Sequence, residues 1–300
     1  MKKKILIVLA GPTAIGKTSL AIELAKEFKT EIISADSRQF YKELNIGVAK
    51  PSKAQLKQIK HHFIGHLSIQ KNYSIGNYEA DSIQLINNLF NKHDILFLCG
   101  GSGLYIDAIC EGLSPFPKVS NAIRNRLKQE YEEKGIQILQ TRLKKIDLDS
   151  FMSIDKNNPQ RLIRALEISE VSEKPFSYYK KLKKEKRNFH TLYIALNEER
   201  EILYEKINNR TQKMINDGLF EEAKNLYKYK DFPALQTIGY QEIFKNLENT
   251  YSLDKAIDEI KKNSRRYAKR QITWFKKEKY NQYNINQKED IKQLIRNYLL

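Results

Sequence analysis

Cysteine, tryptophan and long apolar runs are what this 300-residue chain has least of. Its two cysteines, Cys99 and Cys110, stand eleven residues apart with no histidine or cysteine at ligand spacing, which excludes a disulfide framework and a zinc knuckle. A reducing cytoplasm fits that usage. The apolar run Ile5–Ala10 follows three lysines and mimics a leader for a moment, but it leads straight into a glycine loop. No run approaches the ~20 residues of a membrane span, so no membrane association is expected. Neither an internal repeat nor a low-complexity linker is present. Acidic residues are scarce too: 36 Asp and Glu face 53 Lys and Arg, for a net charge of +17 and a sequence pI near 9.5. Such an excess points to a polyanionic partner through counterion release, or else to a lysine-rich surface without one. With 41% hydrophobic residues, the chain can bury one large core, with or without a smaller lobe, and needs no covalent staples.

What is there begins with alternation. KILIVLA reads as a strand, KTSLAIELAKEF as a helix with Leu20, Leu24, Ala25 and Phe28 on one face, and EIISAD as a second strand. NYEADSIQLINNLFNKH is helical with Ile83, Ile86, Leu89 and Phe90 together, and DILFLCGG is a buried strand ending in glycines. This is the pattern of a parallel sheet with crossover helices. From about Pro115 it changes: NAIRNRLKQEYEEKG, IQILQTRLKKI and NNPQRLIRALEISE are polar helices bounded by Pro, Gly and Asn. The expected organisation is an α/β core of residues 1–115 and 188–300 with basic C-terminal helices, interrupted by an all-helical insertion at 116–187. HTLYIALN returns the chain to the sheet, and the remainder reads as mostly helix.

GPTAIGKT, Gly11–Thr18, matches the phosphate-loop pattern G-x-x-x-x-G-K-[ST] and stands between a predicted strand and a predicted helix. Its glycines let backbone N–H groups converge on phosphate oxygens, Lys17 supplies a point charge, and Thr18 offers a hydroxyl to magnesium, all at a helix N-terminus. Enzymes that hold triphosphates this way usually present an aspartate at the end of another strand. Here the obvious strand ends in Cys99, Gly100 and Gly101. Either Asp36, closing EIISAD, organises the metal, or the loop grips a phosphate that leaves rather than one that is transferred.

Other stretches are weaker. GGSGLY, Gly100–Tyr105, places the Ser102 hydroxyl and further backbone donors near the first loop, or is simply a tight turn. Arg161 and Arg164 share a helical face suited to phosphate or to solvent, while Leu162, Ile163 and Leu166 pack inward; Arg124 and Arg126 read the same way. Lys261–Lys279 has nine Lys or Arg against one Glu, with Tyr267, Trp274 and Phe275 interleaved, and is the best candidate nucleic-acid element. In HHFIGH, His62 and His66 are four apart, but no carboxylate follows at a usable spacing, and structural histidines are the favoured reading.

Taken in order and spacing, GPTAIGKT, DSRQFY, AKP, HHFI, GGSGLY, NPQRLIRALE, TIGYQE and KRQITWF resemble the tRNA dimethylallyltransferase family, over nearly the whole chain from Gly11 to Phe275. The resemblance implies a P-loop α/β core with a helical insertion that contacts tRNA. It implies transfer of a dimethylallyl group from dimethylallyl diphosphate to N6 of adenosine 37 beside the anticodon. The donor's diphosphate would occupy Gly11, Pro12, Thr13, Ala14, Ile15, Gly16, Lys17 and Thr18, with Mg2+ as cofactor on Thr18. Asp36 would take the proton from the adenine amine, and Ser102 would replace a family threonine. Asp36, Ser37, Arg38, Gln39, Ser102, Arg124, Gln160, Arg161, Leu162, Ile163 and Arg164 match positions that meet the tRNA anticodon stem-loop. A cytoplasmic monomer is expected. Two departures stand out: Ile15, where relatives often have a small residue, and Gly65, where many have an acid. The competing readings are an adenylate isopentenyltransferase, a small-molecule kinase, and an RNA-binding protein with a vestigial loop.

Overall fold

Six consecutive apolar residues without alternation call for a strand covered on both faces, and Ile5–Ala10 (β1) is buried at every position in the computed structural model, which describes residues 3–299. With β2 (Ile32–Ser34), β3 (His61–His62), β4 (Ile95–Gly100), β5 (His190–Asn197) and β6 (Asn281–Asn284) it forms an all-parallel sheet of order β3-β2-β4-β1-β5-β6. Helices α1 (Lys17–Glu27), α2 (Lys53–Gln58), α3 (Ile75–Leu89) and α4 (Gly103–Glu111) connect the first strands. The chain then builds a separate unit, Glu111–Lys186, from α5 (Asn121–Lys134), α6 (Ile136–Ile146), α7 (Leu148–Ser153), α8 (Pro159–Ser172) and α9 (Phe176–Lys181). After β5 come α10 (Arg200–Asn216), α11 (Leu219–Leu226), α12 (Tyr240–Leu247) and α13 (Leu253–Phe275), and after β6 comes α14 (Lys288–Leu299).

Alternate residues of β1 serve two cores. Ile5, Ile7 and Leu9 pack with Leu20 and Leu24 of α1, Leu203 and Ile207 of α10, and Ile291 and Ile295 of α14. Leu6, Val8 and Ala10 pack with Ile86 of α3, Ile106 and Ile109 of α4, Ile243 of α12, and Ile260 and Phe275 of α13. The α/β alternation and HTLYIALN are found where the periodicity placed them. β3 and β6 were not expected. One is two residues long and the other, NQYN, is polar; both are edge strands, where one-sided pairing tolerates sequences that no buried strand would. In β3, His62 Nε2 lies 2.5 Å from the Glu31 carboxylate, and His61 Nδ1 donates to the Ile59 carbonyl at 2.8 Å. Gly65, which sequence alone left uninterpreted, has φ +57° and donates its N–H to the Gln39 carbonyl, so the turn favours glycine there.

Because β2 pairs with β4 and β4 with β1, the chain steps over one strand position between β1 and β2. That reversal leaves a crevice at the carboxyl ends of neighbouring strands, where parallel sheets bind ligands. Ala10 is level with Gly100 and Ser34 with Cys99, so the loops that follow β1, β2 and β4 emerge side by side.

The helical unit has its own core of Leu127, Leu139, Leu143, Leu162, Ile163, Ala165 and Leu166. Glu167, only 1% exposed, accepts from Arg124 Nε at 2.9 Å and Nη2 at 3.0 Å, and from Arg164 Nη1 at 2.5 Å. Burial pushes its carboxyl up, but hydrogen bonds from the two arginines outweigh this and hold it below the ordinary glutamate value. Arg124→Ala is therefore expected to destabilise this unit by about 1–2 kcal/mol, the upper end being screened because the Arg124 side chain is 42% exposed. Urea unfolding checks it. The gap should close as pH falls below 4.5, where Glu167 loses its charge.

Candidate active site

The loop between β1 and α1 needs glycine at two places. Gly11 has φ +148° and Gly16 +99°, and a Cβ on Gly11 would sit 2.9 Å from the Leu196 carbonyl oxygen. Ala14 also adopts φ +65°, a conformation that alanine rarely takes. Ile15 is buried at 2% exposure, which accounts for an apolar residue in the loop. Lys17 opens α1 and folds back on the loop, its Nζ donating to the carbonyls of Gly11 at 3.0 Å and Pro12 at 2.7 Å. Burial pulls its ammonium down to about 8; Arg210 adds to the drop, and Asp36 opposes it. Arg210, from α10, donates to Thr13 Oγ1 at 3.0 Å, and burial lowers its own value against the opposing charge of Asp36. Two cations thus stand by one loop without a full complement of anions, an arrangement suited to a dianionic or trianionic ligand.

The second glycine turn works differently from the first. None of Gly100, Gly101 and Gly103 has positive φ. Each is small because something presses on it: a Cβ would lie 2.2 Å from the Ala35 carbonyl oxygen at Gly100, 2.2 Å from Gln271 Nε2 at Gly101, and 2.3 Å from the Trp274 ring at Gly103. What keeps these residues small is close packing by Ala35, just after β2, and by α13. Gly100→Ala meets backbone, which cannot swing aside, and should cost about 3 kcal/mol, seen as a lowered thermal midpoint.

Asp36 follows β2. Its Oδ1 accepts the Arg38 N–H at 3.0 Å, while its other oxygen accepts no hydrogen bond from the described residues. Ser102 Oγ accepts the Ser37 N–H at 3.3 Å, and the phenol of Tyr267, on α13, is pushed up to about 12, by burial first and then by the Asp36 charge. Asp36 stands where two cavities meet. One, of about 820 Å³, is lined by Lys17, Thr18, Ser34, Cys99 and Gly101; the other, of about 400 Å³, by Ser37, Arg38, Thr237, Ile238 and Arg270. Both are lined by Thr13, Ala14, Asp36, Arg210, Met214 and Tyr267. A carboxylate with a free oxygen therefore lies between an anion loop and a second opening.

Of the other positions singled out by sequence, Arg38 is engaged: its guanidinium donates to the carbonyls of Pro233 at 2.7 Å and Gln236 at 3.2 Å, shaping the wall of the smaller cavity. Gln39 Nε2 donates to the carbonyls of Val48 at 3.3 Å and Ala49 at 3.2 Å, and so holds the AKP segment. Leu162 and Ile163, 0% and 8% exposed, are core residues of the helical unit; as acceptor contacts they are corrected by burial. Gln160 and Arg161 on α8 are exposed, and their side chains bond to no described residue. The basic stretch Lys261–Lys279 also divides: Ala268, Gln271 and Phe275 of α13 are buried, and the helix ends before Lys276. Arg210, Gln271 and Met214 were missed, and Tyr267 was named only as part of the candidate nucleic-acid element. A buried glutamine in a basic helix, four residues after a tyrosine, was the one legible signal; nothing local marks Arg210.

The sheet, the loop and the crevice define a P-loop α/β protein with a two-sided site. The family model described as IPP transferase matches residues 39–278. The chain is 52% identical over 273 residues to the tRNA dimethylallyltransferase of Christiangramia forsetii, covering 91% of this chain and 90% of that one. It is 45% identical over 303 residues, with 98% coverage of both, to the tRNA dimethylallyltransferase of Flavobacterium johnsoniae. The solved tRNA isopentenylpyrophosphate transferase of Bacillus halodurans superposes with a TM-score of 0.74 at 33% identity, over 99% of this chain and 97% of that one. The chain belongs to the IPP transferase family.

Proposed function

We propose that this protein transfers the dimethylallyl group of dimethylallyl diphosphate to N6 of adenosine 37 beside the anticodon of tRNA, giving N6-(dimethylallyl)adenosine and diphosphate. The observation that carries this reading is Asp36, one oxygen free, at the junction of two cavities, of which the larger is lined by Lys17 and Thr18 of the phosphate loop and the smaller is not. The diphosphate lies against the loop, with Lys17 and Arg210 neutralising it as the C1–O bond breaks and its electron pair leaves with the diphosphate. The adenine amine attacks C1 from the other side, and its proton passes to Asp36. A stacked base cannot reach a buried donor, so the adenosine is extruded from the anticodon loop into the smaller cavity.

The larger cavity offers magnesium a hydroxyl, that of Thr18, and the described residues contain no acidic cluster for a protein-only cage. That donor set fits an ion carried mainly by diphosphate oxygens and water, where it would offset charge on the leaving group. EDTA is accordingly expected to abolish turnover while leaving stem-loop affinity within about threefold, as measured by filter binding. No helix among the described residues is long and apolar enough to cross a membrane. A tRNA acceptor supports a cytoplasmic location for the reaction.

Labelled donor offered with either AMP or an unmodified anticodon stem-loop tests the reading. Label in the stem-loop alone is expected. Label in AMP alone overturns it in favour of a free-nucleotide acceptor, and ATP consumption without a prenyl donor overturns it in favour of a kinase.

A further inference from the structure

Gln271 lies on α13, 258 residues from the phosphate loop, and is 5% exposed. Both ends of its carboxamide are used. Oε1 accepts the Thr13 N–H at 2.9 Å, and Nε2 donates to the Gly101 carbonyl at 2.9 Å. We infer that Gln271 is a positioning residue, its one amide setting the separation between the loop that holds the leaving group and the turn that carries Ser102. The inference rests on the prenyl-transfer reading above.

Each side of this bridge continues into the site. On the loop side, Thr13 Oγ1 takes a hydrogen bond from Arg210, so a shift of Thr13 shifts the cation facing the diphosphate. Across the bridge, Ser102 follows Gly101 directly, donates its N–H to the Ala35 carbonyl at 3.2 Å and holds Ser37 through Oγ, next to Asp36. The carboxamide therefore links the leaving-group side to the base through two short hydrogen-bonded paths. Reactions between two bound partners are sensitive to such spacing: a displacement of about 1 Å costs on the order of 10²-fold. The bridge also takes the Thr13 N–H out of the set of loop donors aimed at phosphate. Chemistry restricts the residue at this position. Glutamate keeps the acceptor for Thr13 but sets an oxygen against the Gly101 carbonyl and adds a negative charge beside the anion loop; methionine keeps the length and loses both bonds. Space is restricted as well, since Gly101 has no room for a Cβ beside Nε2.

The test compares wild type with Gln271→Met and Gln271→Glu. It measures thermal midpoint, affinity for inorganic pyrophosphate, affinity for the stem-loop, and single-turnover prenylation with both substrates saturating. For Gln271→Met, both affinities are expected to stay within about threefold while the single-turnover rate falls about 30-fold or more, the signature of misplacement rather than lost binding. In Gln271→Glu the rate falls similarly and pyrophosphate affinity falls about tenfold as well, from the added charge. If the methionine variant is unfolded at assay temperature, the glutamate variant is judged alone by the same rate. A single-turnover rate within threefold of wild type, or a loss matched by lost affinity, overturns the inference. An active wild type with an unimpaired variant overturns the inference alone, whereas a wild type that prenylates no stem-loop overturns the functional reading and the inference with it.

Discussion

Asp36→Asn is expected to lower single-turnover prenylation by about 10²–10⁴-fold while stem-loop affinity stays near that of wild type. Asparagine is the informative substitution because its Oδ1 still accepts the Arg38 N–H that sets the turn after β2, so the backbone that carries Ser37 and Arg38 is preserved. What is lost is the free carboxylate oxygen at the meeting point of the two cavities. Adenine N6 is a weak nucleophile whose lone pair is delocalised into the ring. Proton removal as the C–N bond forms is the part of the barrier a carboxylate can lower. If the two proteins show the same single-turnover rate, Asp36 is not the base.

The second large effect belongs to Lys17 and is read through pH. In the free protein its ammonium titrates at about 8, well below the ordinary lysine value of 10.5, because burial disfavours the charge. As pH rises through 8, the charge that the diphosphate needs is lost, so kcat/KM for the donor should fall about tenfold per pH unit above that point. Bound diphosphate restores the charge by raising the value again, so kcat at saturating donor should hold to higher pH. Folding stability carries the opposite sign. A lysine whose folded value is lowered binds fewer protons than the unfolded chain between pH 8 and 10.5, so its contribution to stability rises across the window in which donor capture fails. That divergence separates titration of Lys17 from alkaline unfolding. Lys17→Met should lose about 10²-fold or more in kcat/KM at neutral pH and show no limb near 8. A limb that survives in the methionine variant assigns the titration to another group.

How far the site could be read in advance varied with how local its causes are. GPTAIGKT is legible because its glycine spacing, its lysine and its place between strand and helix are all short-range features. EIISAD marked Asp36 as a strand-end acid for the same reason. The turn at Gly100–Gly103 was legible as a turn, but the reason its residues are glycine was not. Their need for small size comes from Ala35, Gln271 and Trp274, two of which arrive from a helix about 170 residues later in the chain. The resemblance matches Arg38 and Gln39 to tRNA-contacting positions; their side chains are tied to backbone carbonyls, those of Gln39 nearby at Val48 and Ala49, those of Arg38 about 195 residues away at Pro233 and Gln236. Arg161 and Arg164 looked equivalent on one helical face, and the buried carboxylate of Glu167 separates them by engaging Arg164.

By itself, then, the amino-acid order determined the α/β alternation, the phosphate loop and the polar helices of residues 121–172, since periodicity and turn chemistry act over a few residues. Tertiary structure alone decided which cations face the loop, which amide spans the two loops, and that one strand-end carboxylate has a cavity on either side. The reason is topological. Stepping β2 past β4 sets the ends of three strands side by side, and α10 and α13 then deliver Arg210, Tyr267 and Gln271 across separations that no sequence window contains.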